Sequence, residues 1–332
     1  MEKERKKRPR SLVTGNTVLQ MEHLSSLEHY YKGKELTQVL QDINLFIKRA
    51  ESWGIYGQSA FEIKLLLEII ANIKSYHDGK CVLVERGMMR NKRVILKHVF
   101  YIGTTTMLYH NMNVLEYLMF ATAKKGIKLV YRQEKIFELL ISVGLGHISL
   151  SPIDYLTNEE KAVIALVTAA YSSSAIIVFN FPEYEFDDVL SNAIAKISSQ
   201  ITESRKTLIL GCRDCLLIEK ACSHTAYLAD GRIIYQGTVK NLRLNYDKVL
   251  FIIRDKNIAE IKQRLAVLLP KYKLSIVDNR LLISDHQETS PELPSIYKKI
   301  AKAGLTPQQI EINLKTMQNA YREVARQYDL QK

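Results

Sequence analysis

Residues 54–66 constrain this chain more than any other segment, because they have the spacing of a phosphate-binding loop between a strand and a helix. In a working loop of the form G-x-x-x-x-G-K-[ST], glycines let backbone N–H groups cradle phosphates, the lysine neutralises them and the hydroxyl holds Mg²⁺. Only the first glycine is kept, as Gly57. Glu62 replaces the second glycine, Ile63 the lysine and Lys64 the hydroxyl. The sequence therefore predicts a nucleotidase-like strand, loop and helix without the phosphate chemistry.

Lys64 lies one residue beyond the lysine position of such a loop. One residue along a helix rotates a side chain by about 100°, so we expect the ammonium to point away from the phosphate position. Glu62 places a carboxylate where phosphate oxygens would lie, and like charges repel. Binding of ATP and Mg²⁺ is therefore expected to be absent or weak, and the sequence predicts neither a cofactor nor a metal site.

The composition is typical of a soluble globular protein, with 47% hydrophobic and 25% charged residues among 332. The longest apolar runs, at 162–171 and 175–179, are shorter than the ~20 residues that a membrane-spanning helix needs. The basic start MEKERKKRPR is not followed by the apolar core of a secretory signal. We therefore expect a cytoplasmic location, with any membrane association made through a partner.

Residues 1–24 are predicted to form a flexible basic arm, in a chain whose formal net charge is +12. The first ten residues contain six basic and two acidic side chains, namely Lys3, Arg5, Lys6, Lys7, Arg8 and Arg10 against Glu2 and Glu4. Such a run is most often a solvated tail, and contact with anionic lipid headgroups is the functional alternative. Nucleic acid is disfavoured, because the arm lacks the interleaved aromatic residues of a single-strand platform.

Cys212, Cys215, Cys222 and His224 form a C-x-x-C…C-x-H string, which raises the question of a zinc site. The loop between the second and third candidate ligands is short, and the cysteines fall in a passage from a strand to a helix. Buried small hydrophobic side chains in a reducing compartment account for them better. We therefore predict no metal site here.

Strands and helices alternate through the middle of the chain, which predicts an α/β domain. A strand at 53–56 precedes the loop, and the run at 175–179 is typical of a fully buried strand. From residue 246 the pattern changes to β-α-β-β-α-β, the order of ferredoxin-like domains, and a helix follows. The predicted divisions are the arm at 1–24, the α/β domain at 25–245 and a small α+β accessory domain at 246–332.

With these elements in order, residues 27–245 resemble the ATP-binding subunit of an ABC transporter, and the accessory domain resembles the C-terminal extension of ABC-2-type exporters. The resemblance implies a P-loop nucleotidase-like fold with a helical subdomain. In that family an aromatic residue before the first strands stacks on adenine, and Tyr30 or Tyr31 stands there. Residues 99–118 follow the family's Q-loop segment, with Thr104 at the glutamine position.

Other family motifs keep their positions but lose their chemistry. The signature segment, LSGGQ in the family, reads LTNEE here, that is Leu156, Thr157, Asn158, Glu159 and Glu160. In the Walker B segment Asn180 replaces the Mg²⁺-holding aspartate and Phe181 the catalytic glutamate. Asp187 of the D-loop is kept, whereas Arg213 replaces the switch histidine of the H-loop. Phosphoryl transfer depends on positioned charges and Mg²⁺, so the resemblance implies an ABC fold without a hydrolytic site.

The resemblance further implies a catalytically inactive subunit with a structural or regulatory role on the inner face of the cell membrane. Its partner would be the membrane subunit of an exporter, a competent ATP-binding subunit or a second copy of itself. One alternative is a weak ATPase subunit of a heteromeric exporter, which would recruit Lys64 to phosphate. The other is a nucleic-acid or ribosome-associated ABC protein, for which the basic arm is the only support.

Overall fold

The computed structural model describes residues 16–32, 35–83, 86–87, 98–106, 108–123, 129–246, 249–277, 279–285, 293–302, 309–312 and 316–330. The chain divides into two compact units, Met1–Gly237 and Thr238–Lys332. Residues 1–15 of the predicted arm lie outside the described residues. Among the described helices, none has the length and apolar character needed to cross a lipid bilayer.

The first unit contains twelve described strands and six described α-helices. The strands are β1 (Thr17–Ser26), β2 (His29–Lys32), β3 (Glu35–Gln38), β4 (Ile43–Lys48), β5 (Ser52–Gly57), β6 (Tyr76–Leu83), β7 (Arg86–Gly87), β8 (Val99–Ile102), β9 (Ile176–Asn180), β10 (Thr207–Cys212), β11 (His224–Ala229) and β12 (Arg232–Thr238). The helices are α1 (Ala60–Ile70), α2 (Val114–Ala121), α3 (Leu129–Ser142), α4 (Asn158–Tyr171), α5 (Asp188–Glu203) and α6 (Cys215–Ala221).

A six-stranded sheet in the order β12-β11-β5-β10-β9-β8 forms the centre of this unit. Five of its strands pair in parallel, in the sequence β11, β5, β10, β9 and β8. Parallel strands are normally covered on both faces by helices, and β9 and β10 are buried along their whole length. The predicted α/β fold, with a strand directly before the phosphate-type loop and a helix directly after it, is confirmed.

A second sheet, in the order β4-β1-β6-β7, packs into the same core. Strand β1 contributes Val18, Leu19, Met21 and Leu24, each no more than 2% exposed. The prediction of a flexible arm through residue 24 is therefore wrong for residues 17–24. The sequence pattern does not predict this strand, because its pairing register shifts between Met21 and Leu24 and the shift breaks the alternation of apolar and polar residues.

Three helices, α2, α3 and α4, lie between β8 and β9 and form the expected helical segment. Helix α2 begins with a capping box, in which the Asn113 side chain accepts a hydrogen bond from Glu116 N–H (2.9 Å) and the Glu116 carboxylate accepts one from Asn113 N–H (3.0 Å). Helix α4 begins with the polar residues 158–161 and is mostly apolar after them, and its residues 162–169 are all buried. This segment is therefore anchored in the core by α4.

The second unit is a small α+β domain. Its elements are α7 (Val239–Tyr246), β13 (Val249–Arg254), α8 (Ile258–Leu268), β14 (Tyr272–Val277), β15 (Arg280–Asp285), α9 (Leu293–Lys302), β16 (Gln309–Ile312) and α10 (Met317–Asp329). The sheet order is β14-β15-β13-β16, and each pair is antiparallel. This is the ferredoxin-like arrangement expected from the order of elements. Because the units divide after Gly237, α7 belongs to the second unit, where it contacts α10, and the boundary lies before residue 245.

Candidate functional site

The carboxyl ends of β5, β9 and β10 form one edge of the parallel sheet. In the pairing register, Gly211 of β10 lies beside Ile55 of β5 on one side and beside Asn180 of β9 on the other. Ligands of open α/β sheets bind outside this edge. The structure thus brings to one sheet edge the segments in which the sequence analysis expects the Walker A, Walker B and switch positions.

The helix after β5 begins with a side-chain cap that takes up one backbone donor of its first turn. Ser59 is the N-cap of α1, and its hydroxyl accepts a hydrogen bond from Glu62 N–H at 3.3 Å. The carbonyl of Ser59 accepts one from Ile63 N–H at 3.2 Å. The first N–H groups of a helix are otherwise a ready anion site. Here one of them, Glu62 N–H, already has a protein partner, whereas Ile63 N–H makes the first regular bond of the helix.

Glu62 is half-buried and tied to the last hairpin of the first unit. Its carboxylate accepts a hydrogen bond from Gly231 N–H at 3.3 Å, and Gly231 has a φ of +71°, which favours glycine. Burial raises the pKa of the Glu62 carboxyl, the bond from Gly231 opposes this rise, and the nearby Asp230 adds to it. Glu62 therefore makes a structural contact between the start of α1 and the turn of the β11–β12 hairpin.

Ile63, at the position of the phosphate-binding lysine, is fully buried. A Cβ atom built on Gly57 would lie 3.5 Å from the Ile63 side chain, and one built on Gly211 would lie 2.7 Å from it. Ile63 therefore packs directly against the backbone of β5 and β10 at two glycines. The isoleucine thus fills the space between β5 and β10 with hydrocarbon.

Asn180, at the position of the metal-binding aspartate, is only 2% exposed. Its amide Nδ2 donates to the carbonyl of Lys64 at 3.2 Å and to the Tyr101 hydroxyl at 2.9 Å. Burial also raises the pKa of the Tyr101 hydroxyl. Asn180 thus joins β9 to α1 and to β8. Tyr101 is a residue of the site that the sequence did not indicate. No local motif marks it, since the contact joins positions 79 residues apart.

Phe181, at the position of the catalytic glutamate, is 4% exposed and belongs to an aromatic cluster of Phe179, Phe181, Tyr184 and Phe186. It stacks on Tyr184 at 4.7 Å between ring centroids and meets Phe179 edge-on at 5.0 Å. Burial raises the pKa of Tyr184, whose hydroxyl is hydrogen-bonded to the Thr105 side chain. The aromatic cluster therefore occupies the end of β9 and reaches the segment that follows β8.

Thr104, at the glutamine position of the Q-loop, makes only local contacts among the described residues. Its hydroxyl lies 2.9 Å from the Thr106 hydroxyl and accepts a hydrogen bond from Thr106 N–H at 3.2 Å. The contact with the aromatic cluster comes from its neighbour Thr105. The hydrogen bonds of Thr104 therefore stay within the segment that follows β8.

Arg213 and Asp187, at the switch and D-loop positions, make structural bonds. Arg213 Nε donates to the carbonyl of Pro182 at 3.0 Å, which joins the loop after β10 to the loop after β9. Asp187 is the N-cap of α5, and its carboxylate accepts a hydrogen bond from Leu190 N–H at 2.8 Å. Each side chain thus makes one hydrogen bond that holds a loop or a helix end in place.

The signature positions form the start of α4. Thr157 is its N-cap, and a capping box joins Thr157 to Glu160 through bonds of 3.1 and 2.8 Å. Leu156 is buried, Asn158 is exposed and Glu159 adds a second carboxylate to the first turn. Carboxylates at a helix N-terminus complement its dipole. This N-terminus therefore has its own anions in place of a bound phosphate.

The two candidates for adenine stacking differ in exposure. Both lie on β2, but Tyr30 packs against the core of the first unit, whereas Tyr31 is 76% exposed. Tyr31 is therefore the one with a free ring face.

The cysteine string is not arranged as a ligand set. Cys212 and Cys222 are buried, and burial raises the pKa of Cys222 to about 12. His224 stacks on Trp53 with ring centroids 5.0 Å apart. In the part of the chain that the structure describes, no three His, Cys, Asp or Glu side chains are grouped so as to hold a metal ion.

Comparison with known proteins gives one consistent fold. The chain is 26% identical over 212 residues to the methionine import ATP-binding protein MetN 1 of Lactiplantibacillus plantarum, covering 62% of this chain and 60% of that protein. It is 22% identical over 195 residues to the lipoprotein-releasing system ATP-binding protein LolD of Rickettsia conorii, covering 59% and 87%. The chain spans less than two thirds of the length of the MetN relative. No protein-family model matches it.

Two solved structures share the architecture. A dimeric ATP-binding cassette in a post-hydrolysis state, bound to ADP and Pi, has a TM-score of 0.54 and 17% identity, covering 67% of this chain and 98% of that one. CbiO1 from Clostridium perfringens, part of an ABC transporter complex, has a TM-score of 0.54 and 18% identity, covering 77% and 96%. The fold is therefore that of the ATP-binding subunits of ABC transporters.

Proposed function

We propose that this chain is a non-hydrolysing subunit of an ABC transporter, which serves its membrane partner as a structural or regulatory component. The observation that carries the proposal is the set of contacts that Asn180 and Phe181 make. Asn180 is hydrogen-bonded to the Lys64 carbonyl and the Tyr101 hydroxyl, and Phe181 is buried in the aromatic cluster. Positions that must hold Mg²⁺ and activate water for phosphoryl transfer are here part of the packed structure.

Several replaced groups act together, which strengthens the proposal. Removal of one group that stabilises a transition state commonly costs ~10² to 10³ in rate. The chain lacks the lysine, the metal ligand, the base and the switch histidine at Ile63, Asn180, Phe181 and Arg213. Structural partners found for Asn180 and Arg213 explain how these replacements are accommodated without loss of the fold.

The proposed partner is the membrane-spanning subunit of a transporter, with this chain on the cytoplasmic face. Relatives that are named as ATP-binding proteins of import and lipoprotein-releasing systems support a transport role. We propose export as the direction, because the second unit resembles the extension of ABC-2-type exporters; the import relatives do not support this part. A competent ATP-binding subunit or a second copy could also join the complex, with Glu159 and Glu160 facing any nucleotide at a shared site.

The surface next to the Q-loop segment is the proposed point of contact. Tyr109 and Phe120 are 55% and 57% exposed and touch each other edge-on, with ring centroids 5.3 Å apart. Two large aromatic side chains exposed together are typical of an interface. In the family, coupling helices of the membrane subunit are received in a groove of the ATP-binding subunit, and we propose that this surface is part of it.

The test is copurification of the tagged full chain from its native membrane, with identification of its partners. We expect a multi-span membrane protein, and its loss in the variant Tyr109→Ala/Phe120→Ala. Phe46→Ala is the matched control, because Phe46 is 46% exposed on β4 and lies outside both residues 54–66 and the Q-loop segment. Recovery of RNA or ribosomes, with steep salt dependence, would favour the nucleic-acid alternative instead. ATP turnover by the purified complex that Lys64→Ala abolishes would favour the weak ATPase.

A further inference from the structure

The second unit carries most of the positive charge that lies outside the basic start of the chain. Residues 238–332 contain 17 Lys and Arg against 10 Asp and Glu, whereas residues 11–237 contain 24 against 23. The change in charge falls at the boundary between the two compact units. A charge asymmetry of this kind indicates an anionic partner for the basic part of a chain.

Helices α8 and α9 form one layer on one face of the sheet in the second unit. The buried residues of β13 and β15 alternate along each strand, so they point to the same face of the sheet. That face shares one core with the apolar sides of both helices. The core members from these four elements are Phe251, Ile253, Ile258, Ile261, Leu265, Leu281, Ile283, Ile296 and Ile300. The opposite side of each helix therefore faces away from this core.

The side of α9 that faces away from the core is basic. Lys298, Lys299 and Lys302 are exposed, and Tyr297 beside them is 55% exposed. The sequence of α9 contains no Asp or Glu, and its three lysines form no ion pair with another residue that the structure describes. A lysine side chain can lay its methylene groups along apolar surface while its ammonium reaches a polar one. The three charges are therefore available to an anionic partner.

The corresponding side of α8 adds apolar surface to this basic face. Val267 is 81% exposed and Leu268 is 37% exposed. Glu260, the one acidic residue of α8, is paired with Arg264 at 2.7 Å, so it does not oppose the lysines of α9. Basic and apolar side chains that are exposed together on amphipathic helices are typical of helices that lie at the surface of a membrane.

We propose that the outer face of α8 and α9 binds an anionic membrane surface, with the lysines of α9 at the lipid headgroups and Val267 and Tyr297 in the interfacial layer. Anionic headgroups attract basic clusters, and tyrosine is favoured where an apolar ring and a polar hydroxyl meet a membrane–water boundary. Nucleic acid suits the face less well, because Tyr297 is the only aromatic residue of the two helices on which a base could stack. The lipid contact does not depend on the membrane subunit proposed above.

Sedimentation of the full chain with lipid vesicles tests this contact. We expect binding to vesicles of phosphatidylglycerol and phosphatidylcholine, and little binding to phosphatidylcholine alone. Each lysine near an anionic surface contributes a factor of about five in affinity, so Lys298→Gln/Lys299→Gln/Lys302→Gln should weaken binding on the order of a hundredfold. Equal binding of the unaltered chain to both kinds of vesicle would overturn the proposal.

The matched control removes the same charge elsewhere in the second unit. It is Lys240→Gln/Arg280→Gln/Arg322→Gln, three exposed positions outside α8 and α9. At about 0.1 M salt exposed charges act over only about 10 Å, so this variant should lose less than about threefold in affinity. The basic start of the chain is present in both variants, so its own attraction to lipid does not distinguish them. Equal losses in the two variants would show that binding follows net charge and not this face.

A fluorescent reporter distinguishes insertion from loose attraction. The chain has one tryptophan, Trp53, which is 4% exposed. In Tyr297→Trp the added emission should be quenched by brominated phosphatidylcholine in vesicles that contain phosphatidylglycerol. Tyr31→Trp is the control, since Tyr31 is 76% exposed on β2 of the first unit, and it should not be quenched. Absence of quenching in Tyr297→Trp would contradict the placement of this residue.

A single-stranded RNA oligonucleotide separates the nucleic-acid alternative from the lipid contact. We expect the unaltered chain to bind anionic vesicles and the triple lysine variant of α9 to bind this RNA no less well than the control variant does. Binding of the RNA that only the α9 variant loses, together with no binding to anionic vesicles, would assign the face to nucleic acid instead.

Discussion

The Asn180 amide donates to the Tyr101 hydroxyl at 2.9 Å, and this bond joins the end of β9 to the edge strand β8. The same amide donates to the carbonyl of Lys64 on α1. A residue at the position of a metal ligand thus holds two strands and a helix together. Its other side-chain atom, Oδ1, is buried and has no hydrogen-bond partner among the described residues. Among the described residues, the Asn180 side chain therefore makes its hydrogen bonds through Nδ2 alone.

The Asn180–Tyr101 bond should be measurable as a coupling energy. Tyr101→Phe removes the hydroxyl and should lower the free energy of unfolding by ~1 kcal/mol. Asn180→Leu removes the amide and should cost at least as much. The double variant should cost less than the sum of the two, because no buried donor is then left without its partner. Urea denaturation of the four proteins measures the coupling. Additivity within ~0.5 kcal/mol would show that the two groups do not interact.

Millimolar Mg²⁺-ATP should leave the melting temperature unchanged. A ligand at a hundred times its Kd stabilises a protein by ~2.7 kcal/mol, which a thermal scan detects readily. Ile63 and the aromatic cluster occupy the positions that the resemblance gives to the lysine and the base, and we expect the Glu62 carboxylate to repel phosphate. AMP is a suitable comparison, since stacking on Tyr31 alone would act on both nucleotides. A rise in melting temperature that needs both Mg²⁺ and ATP would contradict the proposed function.

The fold follows from the sequence because β5, β9 and β10 are apolar along most of their length and α1 has apolar residues at helical spacing. These are local patterns, and the structure confirms them. The partners of the replaced residues cannot be predicted in this way. Tyr101 meets Asn180, and Arg213 meets Pro182, only after the sheet has brought separate segments together. Strand β1 could not be predicted for a different reason, because its register shift interrupts the alternation of apolar and polar residues.

Glu62 should make stability fall as pH rises. Burial raises its folded-state pKa above the usual 4.5, so the folded protein binds this proton more tightly than the unfolded chain does. Stability is then highest below the ordinary value and declines as the pH rises through the higher, folded value. Glu62→Gln keeps an acceptor for Gly231 N–H and removes the titration. The difference in unfolding free energy between the two proteins should therefore grow in favour of the variant as the pH rises from below the ordinary value to neutrality. A constant difference would contradict the raised pKa.

Thr157 should act as a helix cap and not as part of a nucleotide site. Thr157→Ala removes the hydroxyl that accepts from Glu160 N–H and should lower stability by ~1 kcal/mol. Thr157→Ser keeps the hydroxyl and should be close to the unaltered protein. Asn158→Ala, at the next and exposed position, is the control for helix propensity alone. Chemical denaturation measures the free energy of unfolding of each variant. Equal values for the Ala and Ser variants would contradict a role for Thr157 as a helix cap.

Rebuilding the loop and the metal site together is the strongest test of the fold assignment. The rebuilt variant combines Glu62→Gly, Ile63→Lys, Lys64→Ser, Asn180→Asp and Phe181→Glu. Groups that act as a unit have strongly non-additive effects, so single reversions should achieve nothing. We expect Mg²⁺-dependent ATP binding to return, without efficient turnover, because Thr104, Arg213 and the LTNEE segment remain.

The structure also shows what the rebuilt variant must lose. Phe181→Glu places a carboxylate in the aromatic cluster, and Ile63→Lys puts an ammonium in a fully buried position. Buried charges without partners cost several kcal/mol, so far-ultraviolet circular dichroism and a cooperative melt must first show a folded protein. ATP and Mg²⁺ would supply partners for both charges, and the variant should therefore be stabilised by them where the unaltered chain is not. A folded variant with no ATP affinity by calorimetry would mean that Gly57, Asn180 and Phe181 do not stand where the resemblance places them.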